Sequence, residues 1–125
     1  MPSWQPNWNN VNWNHGAAGD AANELRRAAD LLEETAARRK HAADTARREW
    51  RGRYRDEFDH NLDDMLRRAR ELAERMRHKA REIDDAGNRA REQQRHRERE
   101  RERWHHEKRE EERREEEQRK SGQKK

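Results

Sequence analysis

The chain of 125 residues has no cysteine, two prolines and only one residue each of valine, isoleucine, tyrosine and phenylalanine. Without cysteine, no disulfide framework can form. Because β-branched and aromatic residues are the usual strand formers, their scarcity argues against a β-sheet. No run of apolar residues is longer than two, so we expect no membrane span. The first residues also lack the basic and apolar regions of a general secretory signal peptide.

Charged residues make up 48% of the sequence, whereas apolar residues make up 27% and are mostly alanine and leucine. That composition is too polar for an ordinary globular core but is typical of long helices that bury one narrow stripe. The sequence therefore predicts an all-α protein. The net charge is +4, but the basic and acidic residues are interleaved. A nucleic-acid-binding protein usually gathers its basic residues on one face, so we expect no nucleic-acid partner.

The first segment, residues 1–14, reads MPSWQPNWNNVNWN. Two prolines and five asparagines disfavour a regular helix here. Trp4, Trp8 and Trp13 are large apolar rings that a solvated tail would not normally carry. Two interpretations remain open for this arm: it packs back onto the helices, or it is a docking segment for a partner.

Residues 17–49 are predicted to form a first helix, with Asp20 as its N-cap or with an earlier start at Asn14. Apolar residues recur at alternating steps of four and three, the spacing of a heptad seam. Alanine predominates, so a neighbouring helix can approach closely. Arg39 is the single polar member of the seam. The seam consists of Ala18, Ala22, Leu25, Ala29, Leu32, Ala36, Arg39, Ala43, Ala46 and Trp50.

Residues 53–90 are predicted to form a second helix with a stripe of larger residues. Large side chains that face small ones favour packing between two helices. The stripe consists of Tyr54, Phe58, Leu62, Met65, Ala69, Leu72, Met76, Ala80, Ile83 and Ala90.

Beyond the second stripe, residues 91–120 lose the apolar periodicity, and Trp104 is their only large apolar residue. Opposite charges at i,i+4 spacing support a solvated helix without a core. We therefore expect a charged helical extension over residues 91–120 and a disordered tail over residues 121–125.

Gly52 decides whether the two helical segments fold back on each other. A glycine inside a helix costs only about 1 kcal/mol relative to alanine, so one unbroken rod remains an alternative. Glycine after a last apolar residue is, however, a common helix C-terminal signal. A rod of that length would also far exceed the usual length of helices in soluble proteins. The sequence thus favours an antiparallel helical hairpin over residues 15–90.

Trp50, Arg51 and Gly52 lie between two amphipathic helical segments in a small chain that lacks cysteine. This arrangement resembles the Trp-X-Gly (WXG) family of small type VII secretion substrates, found mainly in actinobacteria and related bacteria. The resemblance covers residues 15 to about 90. It implies a helical hairpin with residues 50–52 at the bend, paired with a second hairpin into a four-helix bundle.

The resemblance also implies partners and a location. The expected partner is a related helical hairpin protein, in a homodimer or a heterodimer, with the type VII secretion ATPase as a further candidate. Trp50 would pack beside the bend and could contribute to recognition for export. The protein would be cytoplasmic before export and secreted without a signal peptide. Two features depart from the family. The Tyr-xxx-Asp/Glu export motif is missing, because Tyr54 is followed four residues later by Phe58. The chain is also longer than many members, because it adds a charged tail and a tryptophan-rich arm.

The pairing surface is expected on the apolar stripes of the two helices. Its predicted interface residues are Leu25, Leu32, Tyr54, Phe58, Leu62, Met65, Leu72 and Met76.

Chemistry-bearing motifs are few. Glu57 and His60, and likewise Glu102 and His105, have the Glu-x-x-His spacing of di-metal helical bundles. The first pair is predicted to point away from the seam and the second lies where no core is expected, so a solvated face is the preferred interpretation. No phosphate-binding loop or nucleophile arrangement is present. We expect no enzyme activity, no catalytic residue, no metal and no cofactor.

The alternative function is a cytoplasmic coiled-coil scaffold or adaptor, with residues 91–120 as a stiff charged spacer. A third interpretation, attraction of the basic tail to nucleic acid or an anionic surface, is weakened by the interleaved glutamates.

Overall fold

The computed structural model describes residues 1–123, and within that range it contains two α-helices and no strand. Helix α1 spans His15–Arg47 and helix α2 spans Arg53–Gln123. The prediction of an all-α protein is thus confirmed. No helix in the described part of the chain is long and apolar enough to cross a membrane. The chain divides into two compact units: a hairpin unit, residues 14–86, and an arm unit, residues 1–13 together with α2 from Gly87 onward.

In the hairpin unit, α1 and the first part of α2 run antiparallel. Ion pairs between the helices define the register: Arg47 contacts Asp59 near the bend at 2.8 Å, and Arg26 contacts Asp84 far from it. A continuous rod would keep both pairs far apart. The structure therefore has the predicted hairpin and not the unbroken helix.

Helix α1 begins at the earlier of the two predicted positions. The Asn14 side chain accepts a hydrogen bond from the backbone N–H of Ala17 at 3.0 Å. The Asn14 backbone is extended, with φ of −89° and ψ of 93°, as in a typical N-cap residue. Asp20 consequently lies inside the helix.

The bend occupies the residues between the two helices. The backbone N–H of Trp50 donates to the carbonyl of Arg47 at 3.4 Å, and the N–H of Arg55 donates to the carbonyl of Gly52 at 3.1 Å. Gly52 has a φ of 114°, the only positive φ among residues 1–123. A side chain would disfavour that backbone conformation, so glycine is what allows the chain to turn here.

The core of the hairpin unit is built almost entirely from alanine. Alanine is buried on both helices, so their backbones can approach closely, whereas the larger residues of α2 are mostly half-buried. The predicted packing of large residues against small ones thus fills the interface only in part, because a pair of helices has no further layer to cover the long side chains. The buried apolar residues of this unit are Ala22, Ala29, Ala43, Leu62, Ala73 and Ala80.

The arm unit differs from the sequence prediction. Residues 91–120 are helical as expected, but this part of α2 is not without a core, because Trp104 is buried and donates a hydrogen bond to the Trp4 carbonyl of the N-terminal arm. Helix α2 also continues to Gln123, through positions predicted to be a disordered tail. Extending an existing helix needs no new nucleation, so weak helix formers can be added at its end. Residues 124–125 lie outside the described residues.

Candidate functional site

An open apolar groove lies between the two helices of the hairpin unit, close to the bend. Its volume is about 400 Å³. All of its lining residues except one are apolar. They are Arg39, Ala42, Ala43, Ala46, Phe58, Leu62 and Met65. We refer to these residues as the hairpin groove.

Helical periodicity accounts for the hairpin groove. On α2, Phe58, Leu62 and Met65 follow one another at steps of four and three and therefore share one face. The facing residues of α1 are alanines, which leave space beside these long side chains. The Trp50 ring lies 5.1 Å from the Phe58 ring, with 56° between the planes. Trp50 is 38% exposed, so it extends the apolar surface of the groove toward the bend.

Arg39 is the polar residue of the hairpin groove. Its Nη1 lies 3.6 Å from the Met65 sulfur, and within the described residues no carboxylate lies within ion-pair distance of it. Arg77 on the neighbouring helix differs, because Glu33 and Asp30 pair with its guanidinium and raise its pKa. Arg39 thus presents an uncompensated positive charge at the edge of an apolar surface.

The structure brings together only some of the predicted interface residues. Phe58, Leu62 and Met65 line the groove, and Leu32 joins Met65 around a smaller cavity of about 70 Å³. Leu25 and Met76 are half-buried along the same helices. Tyr54 is 74% exposed and therefore contributes little to the packing within the hairpin, and Leu72 is 39% exposed.

The arm unit forms a second candidate site, in which α2 binds the N-terminal arm. Most of these hydrogen bonds are made to the arm's backbone. Arg101 donates through Nε to the Asn7 carbonyl at 3.0 Å and through Nη2 to the Asn9 carbonyl at 2.7 Å. Gln94 accepts the backbone N–H of Val11 at 2.8 Å. Backbone recognition of this kind requires an extended segment and tolerates many side chains.

Trp4 contacts α2 through its indole N–H, its ring face and its backbone carbonyl. Its indole N–H donates to Glu107 at 2.6 Å, and the Arg103 guanidinium lies 4.3 Å above its ring in a cation–π arrangement. Its carbonyl accepts a hydrogen bond from the Trp104 indole at 3.0 Å. Trp104 is 6% exposed, and the Trp8 ring packs edge-on against it at 5.2 Å.

The two ends of the arm are held differently. The Met1 amine pairs with Glu111 at 2.7 Å, and this contact raises the pKa of the amine above its ordinary value of 8.0. At the other end, the Trp13 ring lies against Gly87, where a β-carbon would come 3.5 Å from the indole nitrogen. The Trp13 indole N–H is buried and has no hydrogen-bond partner.

The arm-binding face of α2 was not predicted from the sequence, because an apolar stripe does not mark it. The seam does continue beyond Ile83 at steps of three and four, but most of its members are polar. Gln94, Arg97 and Arg101 lie on this face and bind the arm. Continuing the spacing of three and four along α2 reaches these positions, but only the bound arm shows that they form a binding face. The continued positions are Gly87, Ala90, Gln94, Arg97, Arg101, Trp104, Lys108 and Glu111.

The arm therefore packs onto a helix, the first of the two interpretations for Trp4, Trp8 and Trp13. Trp8 remains 46% exposed. The two Glu-x-x-His pairs do not converge with other ligands: no group of three or more His, Asp or Glu residues in the described ranges is placed to hold a metal ion.

Comparisons with protein-family models, curated proteins and solved structures found no match to this chain. The resemblance to the WXG family therefore rests on Trp50, Arg51 and Gly52 and on the two helices that flank them.

Proposed function

We propose that this chain is a small helical hairpin protein associated with type VII secretion, which acts by pairing with a second helical hairpin. The observation that carries the proposal is the incomplete core of the hairpin unit. Its buried apolar residues are five alanines and Leu62, while Phe58 and Met65 line an open groove. An apolar groove on a two-helix layer is the surface that further helices cover in a four-helix bundle.

Energetics support pairing. Full burial of a leucine, methionine or phenylalanine side chain contributes about 1.5–3 kcal/mol, and the hairpin unit exposes several such residues. Leu31 is 58% exposed and Leu72 is 39% exposed, on opposite helices. A partner hairpin that covered the groove and these residues would supply the second layer.

The charge of Arg39 bears on the nature of the partner. A desolvated guanidinium without a counterion opposes association, whereas one that meets a carboxylate supports it. We therefore expect the partner hairpin, whether a second copy or a related chain, to place an Asp or Glu beside the groove.

Recognition for export would take place at the bend between the two helices. Trp50 and Arg51 are exposed beside Gly52, where a type VII secretion ATPase could contact them. Because the Tyr-xxx-Asp/Glu motif is missing, the partner would supply it, and the chain would be either a substrate or the export partner of a larger protein. In both cases it would be cytoplasmic before export and secreted afterwards.

Pairing is tested by light scattering after size-exclusion chromatography. The wild-type chain, alone or with its partner, should form a dimer, and Met65→Glu should shift it to monomers because a carboxylate would enter the apolar groove. His60→Glu is the matched control: it introduces the same carboxylate at an exposed position outside the groove. Equal dimer content in the two variants would refute pairing through the groove.

Export is tested in the host with and without the type VII secretion ATPase. Appearance of the chain in the culture filtrate only when the ATPase is present supports the proposal. Strict retention beside an exported control would refute the secretion function and leave the alternative.

That alternative, a cytoplasmic scaffold or adaptor, is favoured by one observation. Helix α2 has 71 residues and continues far beyond the hairpin unit. Residues 91–120 differ from the predicted solvated spacer, however, because the N-terminal arm covers part of them.

A further inference from the structure

Beyond the proposed pairing of hairpins, and independently of it, we propose that the N-terminal arm exchanges between two copies of this chain. In the exchanged dimer, residues 1–12 of each copy would bind the arm-binding face of α2 in the other, and Trp13 and Asn14 would serve as the hinge.

The geometry of the bound arm makes it exchangeable. Met1 contacts Glu111 and Trp13 contacts Gly87, so the arm runs antiparallel to α2 from Gly87 to Glu111, which are 24 positions apart on the helix. At 1.5 Å per residue this distance is roughly 36 Å, close to the reach of about 40 Å for twelve extended residues. The arm is thus a nearly straight ligand that can leave and rebind as one piece.

The hydrogen bonds that hold the arm involve only the arm itself and α2. Side chains of α2 bind the carbonyls of Trp4, Asn7 and Asn9, and the Trp4 indole binds Glu107. An arm from a second copy would reproduce all of them, because both partners in every contact are retained. Domain exchange of this kind is a low-cost route to a dimer.

An unpaired hydrogen-bond donor at the hinge favours release of the arm. The Trp13 indole N–H is buried without an acceptor, which disfavours the closed arrangement. Asn14 immediately follows with an extended backbone, and its side chain caps α1. When the arm leaves, the Trp13 ring can turn its N–H toward water. Opening therefore relieves an unpaired donor at the hinge while the arm regains its other contacts on the second copy.

Cross-linking between copies tests the exchange, since the chain has no cysteine of its own. The Asn10 side-chain oxygen accepts a hydrogen bond from Gln94 Nε2 at 3.0 Å. One tagged copy carries Asn10→Cys, a second copy with a different tag carries Gln94→Cys, and both are treated with a short bis-maleimide after prolonged co-incubation. We expect a covalent dimer bearing both tags, in an amount that rises with protein concentration toward roughly 1 mM, a typical effective concentration for a tethered segment.

Two controls define the result. Asn10→Cys mixed with Glu117→Cys should give no dimer, because position 117 lies roughly 35 Å along the helix from position 94. The double variant Asn10→Cys with Gln94→Cys should cross-link within one chain. If it does so while the mixture gives no dimer, exchange does not occur and the proposal is overturned.

A further variant tests the role of the hinge. Trp13→Phe keeps an aromatic ring but removes the unpaired donor, so it should lower the exchanged fraction roughly fivefold. An unchanged fraction would refute the hinge argument.

The experiment is also separable from hairpin pairing. With Met65→Glu in both copies, the cross-link should persist even though the groove is blocked. Its disappearance would show that hairpin pairing brought the two cysteines together, and would overturn arm exchange without affecting the proposed function.

Discussion

At the scale of single residues, Gly52 has the clearest physical role. Its φ of 114° lies in a region that residues with a side chain rarely adopt. Gly52→Ala should therefore lower the free energy of unfolding by about 1–3 kcal/mol. Thermal unfolding followed by circular dichroism measures this change.

Gly19→Ala is the control for that substitution. Gly19 lies inside α1, and nothing lies within 4 Å of a β-carbon placed there. Alanine should stabilise the helix by up to about 1 kcal/mol. Equal effects of the two substitutions would contradict the assignment of Gly52 as a required turn residue.

Trp104 joins the bound arm to α2 through both packing and a hydrogen bond. It is 6% exposed and donates to the Trp4 carbonyl, so Trp104→Ala removes both packing and a hydrogen bond. We expect hydrogen exchange at the Val11 amide, which donates to Gln94, to become at least about tenfold faster. Trp8→Ala should have a smaller effect because Trp8 is 46% exposed. Unchanged exchange in the Trp104 variant would mean that the polar contacts alone hold the arm.

At the scale of elements, one ion-pair cluster joins the two helices of the hairpin unit. Arg77 on α2 pairs with Glu33 and Asp30 on α1 and lowers the pKa of the Glu33 carboxyl below its ordinary value of 4.5. The unfolded chain thus takes up a proton at this residue at a higher pH than the folded chain does. Glu33 therefore contributes stability above pH 4.5, and this contribution is lost as the pH falls through the lower folded pKa.

The midpoint of thermal unfolding should consequently fall more steeply with acidification in the wild type than in Glu33→Gln. At pH 7 the variant should be slightly less stable, because the pair is exposed and screened by water. Glu34→Gln, at an exposed carboxylate outside this cluster, should keep the wild-type acid dependence. Parallel pH profiles for wild type and Glu33→Gln would contradict the assignment.

The Trp13 ring of the arm lies against Gly87 on α2. A β-carbon at this position would lie 3.5 Å from the Trp13 indole nitrogen, an ordinary van der Waals distance. Gly87→Ala should therefore be tolerated and should favour the helix by up to about 1 kcal/mol. Gly87→Leu should displace Trp13 and accelerate exchange at the Val11 amide. A leucine variant with wild-type exchange would show that Trp13 is not held against this position.

Much of the element scale was predictable from sequence. Strand formers are scarce and the apolar residues repeat at helical spacing, so two helices followed directly, and Gly52 marked the bend. The sequence did not predict that α2 has a binding face beyond Ala90. There the periodic positions include Gln94, Arg97 and Arg101, which a search for apolar residues passes over. Their role appears only when the arm lies across them.

At the scale of the whole molecule, the proposed pairing makes stability depend on concentration. If hairpins associate through the groove, a hundredfold increase in protein concentration should raise the unfolding midpoint by roughly 5 °C. Met65→Glu should abolish this dependence, whereas His60→Glu should retain it. A wild-type midpoint that does not change with concentration, with or without the partner, would argue against hairpin pairing.

The predicted pairing surface stays a prediction, whereas the placement of its residues on the two helices is seen in the structure. Phe58, Leu62 and Met65 were expected at the interface and do line the groove, because steps of three and four place them on one helical face. Tyr54 had the same spacing but is 74% exposed in this chain. Periodicity assigns a residue to a face, but it does not say whether another element reaches that face.

The sequence by itself determined the helical class and the absence of disulfides, because these depend on local propensity and residue type. It favoured a bend at Gly52, but only the tertiary structure decided between the hairpin and an unbroken helix, because a glycine inside a helix costs little. Only the tertiary structure decided what the N-terminal tryptophans contact. Trp4 and Glu107 are 103 positions apart in the chain, and their hydrogen bond depends on how an extended segment lies along a helix. No local sequence pattern predicts that hydrogen bond. It forms only when the carbonyls and indole rings of the arm and the guanidinium groups of α2 fit together along one helix face.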